Sequence, residues 1–209
     1  MDLNSEALAV LLTALGLSTA SGLRAYFPLL AVAVGSNVPT GNGQHLITLS
    51  KPFQALGTWW FVALLVVLVL GEFVVDKVPG LVHVSDAFHT IVRPLSGAII
   101  MAGTSNPLSE QNIWAAAVVG AVLALTVHTA KAASRPAVTV TTAGIGNPVV
   151  SLIEDGITAV ITVLAVLAPF VAAALILVLA IVIGWLIYKG AKQLRRWKPM
   201  DWLTGGPQP

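Results

Sequence analysis

Eleven side chains in this sequence carry ionisable or amide chemistry in surroundings too apolar to solvate them: Arg24, Glu72, Asp76, Asp86, His89, Arg93, Lys131, Arg135, Asn147, Glu154 and Asp155. Asp86, His89 and Arg93 are spaced i, i+3, i+7 and share one helical face with Gly97. A charged stripe of this kind cannot face lipid, so it faces protein or water. An acid, a titratable imidazole and a permanent cation in line can pass protons or guide a small polar solute, with Arg93 recognising an anion or holding a carboxylate. The same three residues also suit a static ion-pair lock, with Arg93 reaching the surface along its alkyl stem. Glu72 and Asp76 stand at i, i+4. Glu72 follows twenty uncharged residues and needs a cationic partner, for which Arg93, Lys131 and Arg135 are the candidates, whereas Asp76 reads as a solvated helix end. Glu154 and Asp155 are neighbours whose side chains diverge by about 100° on a helix, so one intact helix does not present both to a single ion. The carboxylates and His89 have the hard donors that Mg²⁺ or Mn²⁺ prefers, but no recognised ligand spacing, and the sequence leaves a metal open. Arg24 sits beside Ser21, Gly22 and Tyr26, where it calls for Glu72, Asp86 or Glu154 as partner.

The elements that must position these groups follow from composition. The 209 residues are 56% hydrophobic and 10% charged, which is membrane rather than soluble composition. Charge-poor runs predict about six spans: a broken one over 7–34, then 57–75, 84–103, 112–131, 148–168 and 169–188, the last two divided by Pro169. The fold class is thus all-α, a polytopic membrane helix bundle with broken or re-entrant helices near residues 18–28 and 137–148. Residues 1–188 form one transmembrane domain and 189–209 a basic cytoplasmic tail. Five of the eleven Lys and Arg lie between Lys189 and Lys198, so the net +2 is local and leaves no footprint for nucleic acid. The retention of cations on the cytoplasmic side predicts both termini inside, in the bacterial inner membrane. No cationic segment precedes the first apolar run, so no cleaved signal is expected. The Gly-, Asn- and Thr-rich stretch 35–52 is expected to be a mobile outer connector.

The sequence also echoes itself. Asp86, His89, Arg93 and Pro94 recur in spacing as His128, Lys131, Arg135 and Pro136, and Asn106-Pro107 as Asn147-Pro148, suggesting an internal repeat around 86–107 and 128–148. On that reading 137–146 is a re-entrant half-helix, paired with the broken first span.

The segments SGLRAYFP (21–28), DKVP (76–79), DAFHTIVRPLSGA (86–98) and RPAVTVTTAGIGNPVVSLIED (135–155) resemble an uncharacterised bacterial integral membrane family, the domain of unknown function 4126, over about 6–190. The resemblance implies one shared architecture for these polar, Gly- and Pro-bearing segments, and no activity.

The functional expectation is a small transporter or channel for an ion or small polar solute, using ionisable residues at helix breaks and assembled as a homodimer in the lipid bilayer. The alternative is a non-transporting scaffold or lipid or assembly factor whose buried charges are structural. There is no cysteine, and no phosphate loop, nucleophile elbow or His-Glu-x-x-His helix, so neither enzymatic turnover nor a cofactor is expected.

Overall fold

The computed structural model of the chain describes residues 3–41, 43–76, 82–104 and 106–196; Lys77, the side chain of Asp86 and the tail 197–209 lie outside the described residues. The described residues form seven α-helices and no strand: α1 (Leu3–Ser21), α2 (Tyr26–Gly35), α3 (Trp59–Val75), α4 (Val82–Thr104), α5 (Asn106–Thr142), α6 (Gly146–Leu167) and α7 (Pro169–Arg196), with a 3₁₀ turn (Lys51–Gly57) before α3. The all-α class is as expected. The chain divides into two compact units, Met1–Ala173 and Ala174–Pro209, and the site described below lies in the first.

The first predicted span does break between 18 and 28, but the break reverses the chain. Ser18 of α1 bonds to Gly97 in the middle of α4, while Leu11 and Ala14 pack with Met101 and Ala102 near its end. Beyond the break, α2 starts beside Glu72 at the end of α3 and finishes where Asn37 Nδ2 donates to Gly57 O at the start of α3. Helix α1 therefore descends and α2 climbs back, a helical hairpin rather than one kinked crossing. At 1.5 Å per residue α2 is only about 15 Å long, half the hydrocarbon thickness. The turn depends on Gly22, where a Cβ would lie 2.5 Å from Ala124 O and 2.6 Å from Val127 Cβ of α5.

Two of the described helices, Asn112–Thr142 and Gly146–Leu167, are long and apolar enough to cross a membrane, and three if α3 and the 3₁₀ turn, bent by 67°, count as one span. The expected six are thus not reached on length and apolarity. Three expected spans fall short: the first because α1 and α2 reverse, the one on α4 because of its charge, and the one on α7 because its described apolar stretch is only Pro169–Val182. Pro169 does separate α6 from α7, as its position in the uncharged run requires.

Helix α5 corrects a second expectation. It continues through Pro136 to Thr142, so 137–142 is the end of a long helix and not a separate re-entrant half-helix. Its regular part starts at Asn112, whose extended backbone (φ −158°) lets Oδ1 accept from Ala115 N at 3.0 Å, an N-cap built into the chain. The break falls at 143–145, with Ala143 at φ 50° and Gly144 at φ 85°; Gly144 N reaches back to Thr139 O, closing a left-handed helix end. The stretch 35–52 is not a free connector either. Ile47 is buried, its N–H bonds Gly35 O, Ser50 N bonds Gly103 O, and Pro39 bridges His45.

Candidate functional site

At the end of the bundle where α1 turns into α2, Arg24 meets side chains at the end of α3 and on α6, and residues of α4 and α5 join the same network through Glu72, Asp76 and Glu154. Arg24 Nη1 donates to Asp76 Oδ2 at 2.7 Å and to Glu72 O at 3.4 Å; its Nη2 reaches Ser151 Oγ at 3.0 Å and pairs with Asp155 Oδ1. The planar guanidinium holds two carboxylates and a hydroxyl together, a geometry open to arginine and closed to the point charge of lysine. The partners anticipated from sequence were Glu72, Asp86 or Glu154. The observed carboxylates are Asp76 and Asp155, because α3 places Asp76 at its C-terminal cap facing inward. Asp76 is therefore no solvated helix end: its side chain has no exposed surface.

Glu72, one turn earlier, does something the sequence did not reveal. Its two carboxylate oxygens accept from Ala25 N (3.2 Å) and Tyr26 N (3.3 Å), the first free donors of α2. Ala25 has no capping side chain, and the carboxylate from α3 takes that role, favoured by the positive end of the α2 dipole. His89 Nε2 at 3.4 Å and Arg93 Nη2 at 3.7 Å approach Glu72 Oε1 from α4, so of the three cations proposed for Glu72 the structure supplies Arg93.

Lys131 and Arg135 come from α5. Lys131 Nζ lies 2.9 Å from Glu154 Oε2, 3.9 Å from Asp76 Oδ2 and 3.2 Å from Leu23 O, while Arg135 Nη2 lies 3.3 Å from Glu154 and 3.9 Å from Asp76. Glu154 thus turns to α5 and Asp155 to Arg24, as adjacent positions on a helix must. Four cations (Arg24, Arg93, Lys131, Arg135) meet four carboxylates (Glu72, Asp76, Glu154, Asp155), all buried or half-buried. Taking so many charges from water is tolerable only with this pairing.

His128 belongs to the cluster although the sequence pattern placed it only in the echo. Its Nδ1 is 2.6 Å from Arg93 Nη1 and its Nε2 3.1 Å from Thr90 Oγ1. The signal was present in the i, i+3, i+7 spacing of His128, Lys131 and Arg135. Asn147 stands apart: its Nδ2 donates to Thr139 Oγ1 at 3.0 Å across the α5–α6 turn. Asp86 lies on α4, but its side chain is outside the described residues. Among the described residues no three His, Asp or Glu side chains group as a metal would require.

A second polar feature lies at the opposite end. A cavity of about 700 Å³ is lined by Glu6 and Thr13 of α1, His45 and Thr48 of the connector, Thr104 of α4 and Val166 of α6, among others.

An all-α protein with apolar helices, compatible with a membrane protein, and with its ionisable residues gathered at one end of the bundle is the class these features define. The chain belongs to the family described as domain of unknown function (DUF4126), which it matches over residues 11–189. No curated protein and no solved structure matches it.

Proposed function

We propose that the protein is a small transporter or channel for an ion or small polar solute, with the network around Arg24 and Glu72 as its coupling site. One observation carries this reading: the carboxylate of Glu72 occupies the N-terminus of a half-length helix, a position that transporters of broken-helix design offer to anions and ions. Glu72 is held there by two backbone donors and faces His89 and Arg93, so protonation or an incoming ion has a defined group to act on. On this reading the protein works in the bacterial inner membrane as a homodimer, without enzymatic turnover. The cation-rich end faces the cytoplasm. Since α1 starts at the opposite end, this orientation puts the start of α1 outside and departs from an arrangement with both termini inside.

The pairing of four cations with four carboxylates among the described residues favours a second reading, a non-transporting scaffold or lipid or assembly factor locked by its ion pairs. Ion flux in proteoliposomes separates the two, following H⁺, Na⁺, K⁺, Mg²⁺ and Cl⁻ in turn for wild type and for a folded Glu72→Gln variant. Transport predicts flux in wild type and its loss in the variant. If wild type moves no ion above protein-free liposomes, ion transport falls and the scaffold reading replaces it.

A further inference from the structure

The network and the 700 Å³ cavity lie at opposite ends of the bundle, and a buried hydroxyl ladder on α6 runs between them. Ser151, Asp155, Thr158, Thr162 and Val166 fall within roughly 80° of one another around the helix axis. Val166 lines the cavity and Asp155 pairs with Arg24. Over the about 16 Å of helix between them, only Thr158 and Thr162 continue this stripe, and both are buried. A membrane helix has no need of inward hydroxyls for stability when alanine or valine packs as well. Thr158 Oγ1 donates to Glu154 O at 2.7 Å, the local bond a lone threonine makes in a helix. Thr162 does not make it: its Oγ1 is buried with no hydrogen-bond partner among the described residues. Asp155 Oδ2 is likewise buried and without a hydrogen-bond partner, although Oδ1 is held by Arg24. Two buried polar atoms without a hydrogen-bond partner thus stand two turns apart on one stripe, each with the desolvation cost of an unmet polar group.

Helix α1 runs antiparallel alongside. Thr13 lines the cavity, Leu17 is one turn deeper, Ser21 the next, and Arg24 beyond it. By rise per residue Leu17 stands level with Thr162 and Ser21 with Thr158. Leu17 is fully buried and belongs to the apolar core with Val32 and Ala165. The ladder therefore passes one apolar level, at Leu17.

We propose that this stripe is a proton route, along which water enters from the cavity past Leu17, is held by the Thr162 and Thr158 hydroxyls, and delivers a proton to Oδ2 of Asp155. The inference deepens the transport reading and rests on it. A hydronium in the cavity leaves one water behind, and the Asp155 carboxylate becomes a neutral carboxylic acid. Arg24 then loses one of its two anionic partners and keeps Asp76, while Glu154 stays with Lys131 and Arg135. That change couples arrival of a proton at the end of the ladder to the seat of α2, whose first residues adjoin Arg24.

Two measurements test it. The chain has no cysteine, so single replacements report water access directly. Thr162→Cys is compared with Val163→Cys on the outward face, in proteoliposomes, using a small charged methanethiosulfonate on either side. Only a hydrated thiol forms the reactive thiolate, so Thr162→Cys is expected to react at least about tenfold faster. Equal rates overturn the route. In proton-flux assays, Thr162→Val is expected to lower flux at least about tenfold and Thr162→Ser to restore it, the hydroxyl being the only change that matters. Wild-type flux left intact in Thr162→Val overturns the route while sparing transport. Absence of wild-type flux removes the proton function altogether, even if the cysteine is reached by water.

Discussion

Arg93 Nη1 stands 2.6 Å from Nδ1 of His128, and the Arg93 side chain has no exposed surface. A guanidinium can only donate, so Nδ1 accepts and the imidazole proton sits on Nε2, directed at Thr90 Oγ1 3.1 Å away. His128 is thus fixed as a neutral acceptor for a buried cation. We expect ¹⁵N-histidine spectra at neutral pH to show the Nε2–H tautomer for one resonance that disappears in His128→Gln. A doubly protonated His128 would contradict the pairing.

Arg24 should be the least replaceable cation of the network. Removing it strands Asp155 and leaves Asp76 only the 3.9 Å approaches of Lys131 and Arg135, and leaving buried charge uncompensated costs about 3–5 kcal/mol. Arg24→Met is therefore expected to unfold at markedly lower temperature in detergent. Arg24→Lys keeps the charge but cannot reach two carboxylates and Ser151 from one nitrogen, so it should recover less than half of the loss. Full recovery by lysine would show that charge alone, and not the fork, holds the site.

The same network shows what the sequence makes legible. Charge in an apolar sequence picked out nine residues whose described side chains gather at one end of the bundle, because a charge that cannot face lipid must turn inward. Of the other two candidates, Asn147 stands apart in the α5–α6 turn, and the side chain of Asp86 on α4 lies outside the described residues. Helix limits were legible too: α3, α4 and α6 begin and end near the predicted spans because charge, Gly and Pro mark the ends. The reversal at Arg24 was not, since a kink and a hairpin share the signature Ser-Gly-x-Arg and only the pairing of α1 with α4 and of α2 with α3 distinguishes them. The capping of α2 by Glu72 was also hidden, because it joins residues 46 and 47 apart through backbone N–H groups that have no sequence signature.

The antiparallel pair α4 and α5 makes backbone contact at two glycines. A Cβ on Gly97 would run into Gly120 O, and one on Gly120 into Gly97 O. Both obstacles are backbone, which cannot step aside as a side chain would. Gly97→Ala and Gly120→Ala are each expected to cost about 1–3 kcal/mol by forcing the helices apart. Gly71, with open space around it on α3, provides the contrast: Gly71→Ala should be neutral or stabilise by up to about 1 kcal/mol, since alanine is the better helix former. Thermal unfolding of the three variants in one detergent checks the order. Similar behaviour of Gly71→Ala and Gly97→Ala would mean that the α4–α5 approach is not a constraint.

Three exposed tryptophans gather at one end of the bundle. Trp59 and Trp60 start α3 and Trp114 lies two residues into the regular part of α5, all strongly exposed (73%, 89% and 79%). Both helix starts lie at the cavity end, Trp114 through its neighbour Ala116, which packs with Met101 and Ala102 close to Thr104. Exposed indoles gathered at one level of an apolar bundle suit a membrane interface, where the ring is apolar and its N–H finds water or headgroups. Lipids brominated high on the acyl chain should therefore quench the fluorescence more than lipids brominated near the chain end. Replacing all three by phenylalanine, with the other three tryptophans kept, should reduce that difference. Stronger quenching by the deep label would place the cavity end inside the hydrocarbon, and the membrane orientation built on Lys and Arg would have to be redrawn.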